Sequence, residues 1–214
     1  MARPKAAMGQ TKRERTRAAL IDAALRVFAR MGPDSPALED IAAEAGVARG
    51  TIYNHFATRE ALLVAVAIHA AEAMEARLAP DRALPDPAER LARAVRSYIR
   101  GAAADPVWGW AVVRMALVAA PLGAAMRANL ARDLAEGLAA GRFAGITPQA
   151  AQDLVLGAGL MGMRSVLQGE AGPGHAEAIA ALLLRALGVP DFGEVAARPL
   201  APAAPTDPFS AAAR

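Results

Sequence analysis

Between residues 38 and 56, apolar positions recur at helical spacing on both sides of a single glycine. The first half places small and aliphatic residues on one helical face: Leu38, Ile41, Ala42 and Ala45. Gly46 follows, and glycine readily adopts the positive φ at which many helices end. The apolar pattern then resumes at Val47, Ile52, Tyr53 and Phe56. The stretch predicts two short helices joined by a tight turn, which is typical either of a helix-turn-helix or of an ordinary αα-hairpin.

Helical patterns also flank this stretch. Upstream, a capping box at Thr11 and Glu14 predicts a helix that ends at Gly32. Its buried stripe comprises Leu20, Ile21, Ala24, Leu25 and Phe28. Downstream, Thr58 is placed to cap a long alanine-rich helix. The flanks favour a three-helix DNA-binding unit, in which the second motif helix, residues 49–55, would enter the major groove.

The order of these segments resembles the TetR family of bacterial transcriptional regulators. The resemblance rests on AALRVFARMG, on LEDIAAEAGVARGTIYNHF with its Tyr53-x-x-Phe56 ending, and on TREALL, which contains the basic residue Arg59. It covers roughly residues 11–65. It implies an N-terminal DNA-binding domain, a larger helical domain that binds a ligand, and a dimer.

Two positions depart from the family pattern. Ala48 and Ala37 stand where a hydroxyl residue is common before each motif helix, so a helix cap or a phosphate contact is lost at each. Ser35, followed by Pro36 at the first helical position, is an alternative cap for the earlier helix.

Basic residues are concentrated at the N-terminus, where residues 1–17 hold six Lys or Arg against Glu14 alone. Residues 1–10 are expected to be a disordered arm in the free protein, and such an arm is typical of proteins that meet phosphates or the minor groove. Together with the motif helix and the resemblance, this predicts the DNA-binding residues Lys12, Arg13, Arg17, Arg49, Gly50, Thr51, Tyr53, Asn54, His55 and Arg59.

The rest of the chain carries helical patterns interrupted by Pro and Gly, so the predicted fold class is all-α. Further helices are expected near residues 87–104, 107–120, 122–141, 148–168 and 174–187. The predicted organisation is a basic arm at 1–10, a helix-turn-helix domain at 11–57, a connecting helix at 58–78, a ligand-binding and dimerisation domain at 79–188, and a disordered Pro/Ala-rich tail at 189–214.

Composition narrows the class of protein without deciding its function. The 214 residues include no cysteine, which excludes a disulfide framework and thiolate metal sites. The basic N-terminus has no apolar core segment of a signal peptide, and apolar runs such as 115–126 are too short to cross a bilayer. A cytoplasmic bacterial protein, nucleoid-associated when bound to DNA and without a membrane partner, is expected.

The last two long helices are the predicted dimer interface, since the resemblance implies a four-helix bundle across a twofold axis. The predicted contacts are Leu154, Gly157, Ala158, Met161, Ser165, Ile179, Leu182 and Leu183. Gly157, Gly159 and Gly162 would let a neighbouring backbone approach, although tight packing inside one subunit is the alternative. A dimer would read a palindrome with half-sites about 34–36 Å apart.

The resemblance also implies a ligand pocket in the larger domain. Candidate wall residues are the large apolar side chains and two polar ones: Tyr98, Trp108, Trp110, Arg114, Met115, Met126, Leu130, Phe143, Leu160 and Met163. Each of them is more often plain core, because Met and Trp at helical spacing usually fill gaps between helices. Arg114 interrupts an apolar helix, so it reaches solvent, pairs with an acid, or meets an anionic group of a ligand.

No catalytic or metal-binding pattern competes with the DNA-binding interpretation, and neither a cofactor nor enzymatic activity is expected. The sequence predicts a dimeric repressor that binds a palindromic operator in double-stranded DNA and is released by a small apolar or amphipathic effector. Two alternatives stay open: an activator or ligand-independent regulator of the same fold, and a helical small-molecule-binding protein that has lost DNA binding.

Overall fold

The computed structural model describes residues 12–32 and 36–200, and every regular element in these ranges is helical. The α-helices are α1 (Lys12–Met31), α2 (Leu38–Glu44), α3 (Arg49–Tyr53), α4 (Arg59–Leu78), α5 (Pro87–Ala104), α6 (Pro106–Met115), α7 (Ala120–Ala139), α8 (Pro148–Leu167), α9 (His175–Ala186) and α10 (Phe192–Ala197). A 3-10 turn, Ala79–Ala83, follows α4. The all-α prediction is confirmed.

The first three helices enclose a small core built from the predicted apolar stripes. Leu20 and Phe28 of α1 are fully buried, as are Ile41 of α2 and Ile52 of α3. Gly46 has φ +66° at the end of α2, so the predicted reason for a glycine at this turn is confirmed. The helix-turn-helix geometry therefore follows from side-chain burial and from one backbone conformation that favours glycine.

The caps of this unit agree only in part with the predictions. Thr58 Oγ1 accepts a hydrogen bond from the backbone N–H of Ala61 at 3.1 Å, as expected for the cap of α4. The cap position of α2 is Ala37, whose backbone N–H donates to Asp40 Oδ2 at 2.9 Å. Since α2 begins at Leu38, the expectation that Pro36 opens it is wrong. Ser35, Thr11 and the basic arm at 1–10 lie outside the described residues.

The larger part of the molecule is organised around α5, which packs against α6, α7, α8, α9 and α10. Its buried face includes Leu91, Val95 and Ile99. Contacts of α6 with α1 and of α4 with both α1 and α7 join this part to the first three helices. Neither part is therefore independent, because both share the continuous hydrophobic core.

The expected boundary between the sixth and seventh helices is wrong. The predicted helix 107–120 ends at Met115, and α7 begins at Ala120, before the proline that was expected to break it. Proline is tolerated in the first turn of a helix because its missing N–H has no intrahelical partner there. The turn between the two helices exposes 83% of Leu117.

The prediction of a disordered tail from residue 189 onward is wrong for its first part. Val189 and Val195 are buried, and α10 packs on α9 and α5. The buried guanidinium of Arg96 donates from Nη1 to the carbonyl oxygen of Arg198 at 2.6 Å and from Nε to Glu177 at 2.9 Å. The helical domain thus extends past its predicted end at residue 188, and residues 201–214 lie outside the described part of the chain.

An ion-pair network fixes this C-terminal segment. Arg142, just after α7, donates to both Asp86 and Asp191, with Nη2 at 3.0 Å from Asp86 Oδ2 and Nη1 at 2.5 Å from Asp191 Oδ1. The hydrogen bond from Arg142 holds the pKa of Asp191 below its usual value. Arg198 pairs with Glu89 at 2.7 Å. The start of α5, the end of α7 and both ends of α10 are therefore joined by charge-assisted hydrogen bonds.

The helices α5 and α6 approach each other closely at Gly109. A Cβ added at Gly109 would lie 2.8 Å from the Cβ and 2.9 Å from the Cα of Ala102. Because the obstruction includes backbone, it cannot be relieved by a side-chain rotation.

We expect Gly109→Ala to lower the free energy of unfolding by about 1–2 kcal/mol, despite the better helix propensity of alanine, because α5 and α6 must separate. Urea denaturation followed by circular dichroism measures this. Gly193→Ala is the matched control, since a Cβ there meets open space. Equal or higher stability of Gly109→Ala relative to the control would contradict the close-contact explanation.

Candidate DNA-binding surface and ligand cavity

The DNA-binding candidates on α3 lie on the outer surface of the first unit. Arg49 is 74% exposed and Tyr53 43% exposed, while Ile52 beneath them is fully buried. Gly50 and Asn54 are exposed, and Thr51 and His55 are half-buried. The helix ends at Tyr53, two residues earlier than predicted. Burial of Ile52 anchors α3 so that its polar residues are presented together to solvent.

Glu39 of α2, which the sequence analysis missed, contacts two of these candidates. The hydroxyl of Tyr53 donates to Glu39 Oε1 at 2.9 Å, and Arg49 Nη2 lies 2.8 Å from the same oxygen. Hydrogen bonds from the backbone N–H of Glu39 and from Tyr53 hold the pKa of this carboxyl below its usual value. The carboxylate is therefore ionised at neutral pH. The contact depends on how α2 crosses α3, so no spacing in the sequence indicated it.

The basic candidates outside α3 fall into two groups. Lys12 and Arg13 are exposed at the start of α1, and the guanidinium of Arg17 stacks 5.1 Å from the centre of the Phe56 ring. Arg59 is half-buried, and its Nε donates to the carbonyl oxygen of Pro36 at 3.1 Å. Arg59 thus joins the start of α4 to the segment before α2.

A cavity of about 90 Å³ lies between the end of α4, α5, α7 and α8. Four predicted ligand residues are in its wall: Tyr98, Met126, Leu130 and Met163. Asn129 and Asp133 of α7, with Arg82 and Arg90, are polar wall residues that the sequence analysis did not identify. They were missed because polar and charged residues of helical segments usually face solvent. Only the packing of α7 on α4 and α5 brings Asn129 and Asp133 to the cavity.

Two family models match the sequence. One, described as bacterial regulatory proteins of the tetR family, matches residues 20–66. The other, described as the tetracyclin repressor-like C-terminal domain, matches residues 86–201, which is more than half of the chain. The chain belongs to the TetR family. The resemblance seen in the sequence is confirmed, and the protein is a helix-turn-helix transcriptional regulator rather than an enzyme.

Relatives among known proteins agree with this assignment. The HTH-type transcriptional regulator SrpR of Pseudomonas putida is 41% identical over 68 residues, and the match covers 32% of each chain. The HTH-type transcriptional repressor LfrR of Mycolicibacterium smegmatis is 51% identical over 59 residues, 27% of this chain and 29% of LfrR. These matches span about a third of the length of the curated relatives.

Solved structures extend the similarity to most of the chain. RolR, crystallised in complex with the ligand resorcinol, is 31% identical, has a TM-score of 0.65, and is matched over 90% of this chain and 98% of its own. FadR from Bacillus halodurans is 23% identical with a TM-score of 0.67, over 78% of this chain and 97% of its own, and supports the fold alone.

Six of the predicted ligand residues of this TetR family member are not in the cavity wall. Trp108 and Met115 are fully buried core, and the ring of Trp108 lies 6.1 Å from that of Tyr98. The guanidinium of Arg114 stacks on Trp110 at 5.1 Å, in the part of α6 that faces α1. The ring of Phe143 fills the space over Gly137. Leu160 of α8 is half-buried elsewhere. Core packing accounts for the five apolar side chains, and stacking on Trp110 accounts for Arg114.

The polar groups of the cavity wall are already paired with one another. Glu75 of α4 accepts hydrogen bonds from Arg82 and Asn129, and Arg82 Nη1 donates to Asn129 Oδ1 at 3.0 Å. Arg90 Nε donates to Asp133 Oδ1 at 3.0 Å. Burial, with a contribution from the nearby charge of Glu75, raises the pKa of the Tyr98 hydroxyl above its usual range. The hydroxyl of Tyr98 is therefore a protonated hydrogen-bond donor at neutral pH.

The outer face of α8 and α9 carries most of the predicted dimer contacts. Leu154, Gly157, Met161 and Leu182 are exposed, and Ala158, Ser165 and Ile179 are half-buried. Leu183 is only 3% exposed and packs inside its own subunit, so its assignment to the dimer contacts is wrong. Gly162 also serves internal packing, because an added Cβ would lie 2.7 Å from Ile99 Cδ1. Gly159 is in the cavity wall, and Gly157 faces open space.

The part of the chain that the structure describes, residues 12–32 and 36–200, consists of helices and the turns that join them. None of its helices is long and apolar enough to cross a membrane. Its His, Asp and Glu side chains form no cluster that could hold a metal ion.

We expect Tyr53→Ala to weaken binding to an operator about tenfold or more, because a hydrogen-bonding side chain is lost from the exposed face of α3. Fluorescence anisotropy on operator duplexes measures this, with circular dichroism and light scattering to check helicity and mass. Ile68→Ala removes a side chain of similar exposure from α4 and is the control. Unchanged operator affinity in Tyr53→Ala would contradict the assignment of α3.

Proposed function

We propose that this TetR family member is a dimeric repressor whose binding to a palindromic operator is released by a small ligand in the α4–α5–α7–α8 cavity. The observation that carries the proposal is the position of α4. Its first residue, Arg59, contacts the segment before α2, and its far end contributes Leu78 to the cavity wall. One helix therefore has one end at the DNA-binding unit and the other at the cavity.

The polar network at the cavity supports a mechanical link between the two sites. Glu75 belongs to α4, whereas its partner Asn129 belongs to α7. A ligand that hydrogen-bonds Asn129 would compete with Glu75 and favour a different position of α4. The ligand shifts the equilibrium only by its difference in affinity between the two states, and 100-fold release from DNA requires about 2.7 kcal/mol of coupling.

The size and charge of the cavity favour a small neutral ligand. The cavity volume is about 90 Å³, and a cavity of roughly 150 Å³ accommodates a benzene molecule in a protein core. A single ring therefore fits only after a flexible wall side chain such as Met126 or Met163 moves. Each charged wall residue is in an ion pair: Asp81 with Arg93, Arg82 with Glu75, and Arg90 with Asp133. A charged ligand would therefore find no unpaired side chain of opposite charge in the wall, and a neutral ligand is favoured.

These features support a hydroxylated single-ring aromatic compound as the ligand. The apolar part of the wall, with Leu91, Val95 and Leu130, suits the ring, and the hydroxyl of Tyr98 and the amide of Asn129 suit its hydroxyl groups. RolR, which is similar over most of its length, was crystallised with resorcinol, a compound of this class. Stearoyl-CoA, present in the FadR structure from Bacillus subtilis, is far larger than the cavity.

The outer face of α8 and α9 supports the dimer. Its exposed apolar side chains, Leu154, Met161 and Leu182, lie on the two helices that a four-helix bundle would use. Gly157 leaves space on the same face for a close approach of the partner helix. A twofold dimer places two copies of α3 on one side of DNA, and this arrangement matches a palindrome.

We expect resorcinol to reduce operator affinity of the wild-type protein by about tenfold or more at saturation, and Asn129→Leu to abolish this response because the ligand loses a hydrogen-bonding partner. Anisotropy titrations with and without resorcinol measure both effects. Gln149→Leu, an amide replaced on the exposed start of α8, is the control and should respond as wild type.

If several neutral phenols leave operator affinity unchanged, the ligand-release proposal is wrong and a ligand-independent regulator takes its place. A promoter–reporter assay determines the sign of control, because a repressor lowers reporter expression and an activator raises it.

We expect Leu182→Asp to convert the dimer into a monomer, because a carboxylate would be buried in an apolar interface. Leu182 is 61% exposed in the single subunit, so the substitution should leave the fold of each subunit intact. Light scattering measures the mass. Val64→Asp, at an exposed position on α4, is the control and should remain dimeric. A dimer of unchanged affinity in Leu182→Asp would contradict the proposed interface.

A further inference from the structure

A negatively charged side chain lies among the candidate DNA contacts. Glu39 is in the first turn of α2, beside the exposed face of α3. In a helix-turn-helix the first motif helix crosses the DNA backbone, so a carboxylate at this position is repelled by the phosphates. The Glu39 carboxylate therefore weakens nonspecific DNA binding, and any favourable effect of Glu39 on DNA binding must act through the side chains that it contacts.

The contacts of Glu39 form a closed cluster with Arg49 and Tyr53. Both side chains meet the same oxygen, Oε1, at 2.8 and 2.9 Å respectively. The guanidinium of Arg49 also lies 6.0 Å from the centre of the Tyr53 ring. Each member of the cluster thus touches the other two, which limits the rotamers open to the two longer side chains.

The guanidinium of Arg49 keeps donor groups for a second partner. Arginine has five N–H donors in a planar fork, and the contact with Glu39 uses Nη2. With 74% of the side chain exposed, the guanidinium is accessible to a second partner. Bidentate contact with O6 and N7 of guanine requires two N–H groups in a fixed plane. A held arginine can therefore read a base edge while its contact with Glu39 persists.

We propose that Glu39 is a specificity-determining positioning residue, which orients Arg49 toward a base edge and keeps it from contacting phosphates at random. This inference rests on the proposed function, in which α3 reads an operator. Without Glu39, Arg49 samples more rotamers and meets phosphates on any sequence. The protein then binds the operator with a smaller advantage in affinity over mixed-sequence DNA, because Arg49 loses conformational entropy when binding orders it.

Glu60 provides a matched control for the charge of Glu39. Glu39 and Glu60 each occupy the second position of a helix, α2 and α4 respectively, and each has its pKa lowered chiefly by a hydrogen bond from its own backbone N–H. The side-chain hydrogen bond of Glu60 is with Thr58, not with a residue of α3. Loss of charge is thus common to both substitutions, whereas loss of the Arg49 contact is specific to Glu39.

The experiment compares Glu39→Ala and Glu39→Gln with Glu60→Ala and Glu60→Gln. For each dimeric protein, anisotropy titrations give the affinity for the selected operator and for a mixed-sequence duplex of equal length, over a range of salt concentrations. Selection from a randomised duplex then gives the preference at each base pair, with Arg49→Ala as a reference. Glu39→Gln keeps an acceptor oxygen, so it provides a folded variant should Glu39→Ala lose stability.

We expect the variants at both positions to bind mixed-sequence DNA about two- to fivefold more tightly, with a salt slope steeper by up to about one unit. The ratio of operator to mixed-sequence affinity should fall about tenfold in Glu39→Ala, less in Glu39→Gln, and stay unchanged in both Glu60 variants. Glu39→Ala should lose its preference at the same base pair as Arg49→Ala.

An unchanged ratio in both Glu39 variants, or an equal fall in the Glu60 variants, would overturn the inference. A preference lost at a base pair that Arg49→Ala leaves intact would also overturn it. In each of these cases wild-type protein still selects an operator, so the proposed function stands. A wild-type dimer that selects no sequence would contradict the proposed function itself and remove the specificity that Glu39 is inferred to set.

Discussion

The structure depends on one helix that must bury its apolar residues in two places. Near its start, α4 buries Leu62 and Val66, and it contacts α1 there; near its end it buries Met74 and Leu78 against the larger helical part. A helix of 20 residues is about 30 Å long, and its backbone hydrogen bonds resist bending. Displacement of one end of α4 therefore moves the other end as well. The alternative is to bend the helix or to expose the apolar side chains buried at one of its ends.

Exposure of apolar surface costs about 25 cal/mol per Å², so shifts of α4 are confined to those that keep both ends buried. Hydrogen-bonded partners at the two ends add to this constraint. Arg59 holds the first turn to the Pro36 carbonyl oxygen, and Glu75 joins the last turns to Asn129 of α7. The cavity lies beside the second of these contacts. In the proposed mechanism, a ligand there would act on a helix whose first turn is held to the DNA-binding unit.

The DNA-binding surface shows the same dependence on packing. At five residues, α3 is far too short to be stable as an isolated helix. It is held by the burial of Ile52 and Phe56, while Glu39 from the preceding helix restrains the exposed side chains. The exposed side chains of α3, which are the candidate DNA contacts, therefore have defined positions because buried residues and Glu39 restrain them.

The sequence by itself determined the local structure and the buried faces of the first unit. Periodicity identified the stripe through Leu20 and Phe28, and the need for positive φ identified the turn at Gly46, because both properties depend on near neighbours in the chain. The tertiary structure alone decided which faces meet. Trp108 and Met115 became core, Asn129 and Asp133 turned toward a cavity, and Leu183 packed inward. Residues 192–197 form α10, which was not expected, because their apolar side chains pack against α5 and α9. Hydrophobic spacing shows that a face is buried, whereas the partner of that face depends on helix crossings set by the whole core.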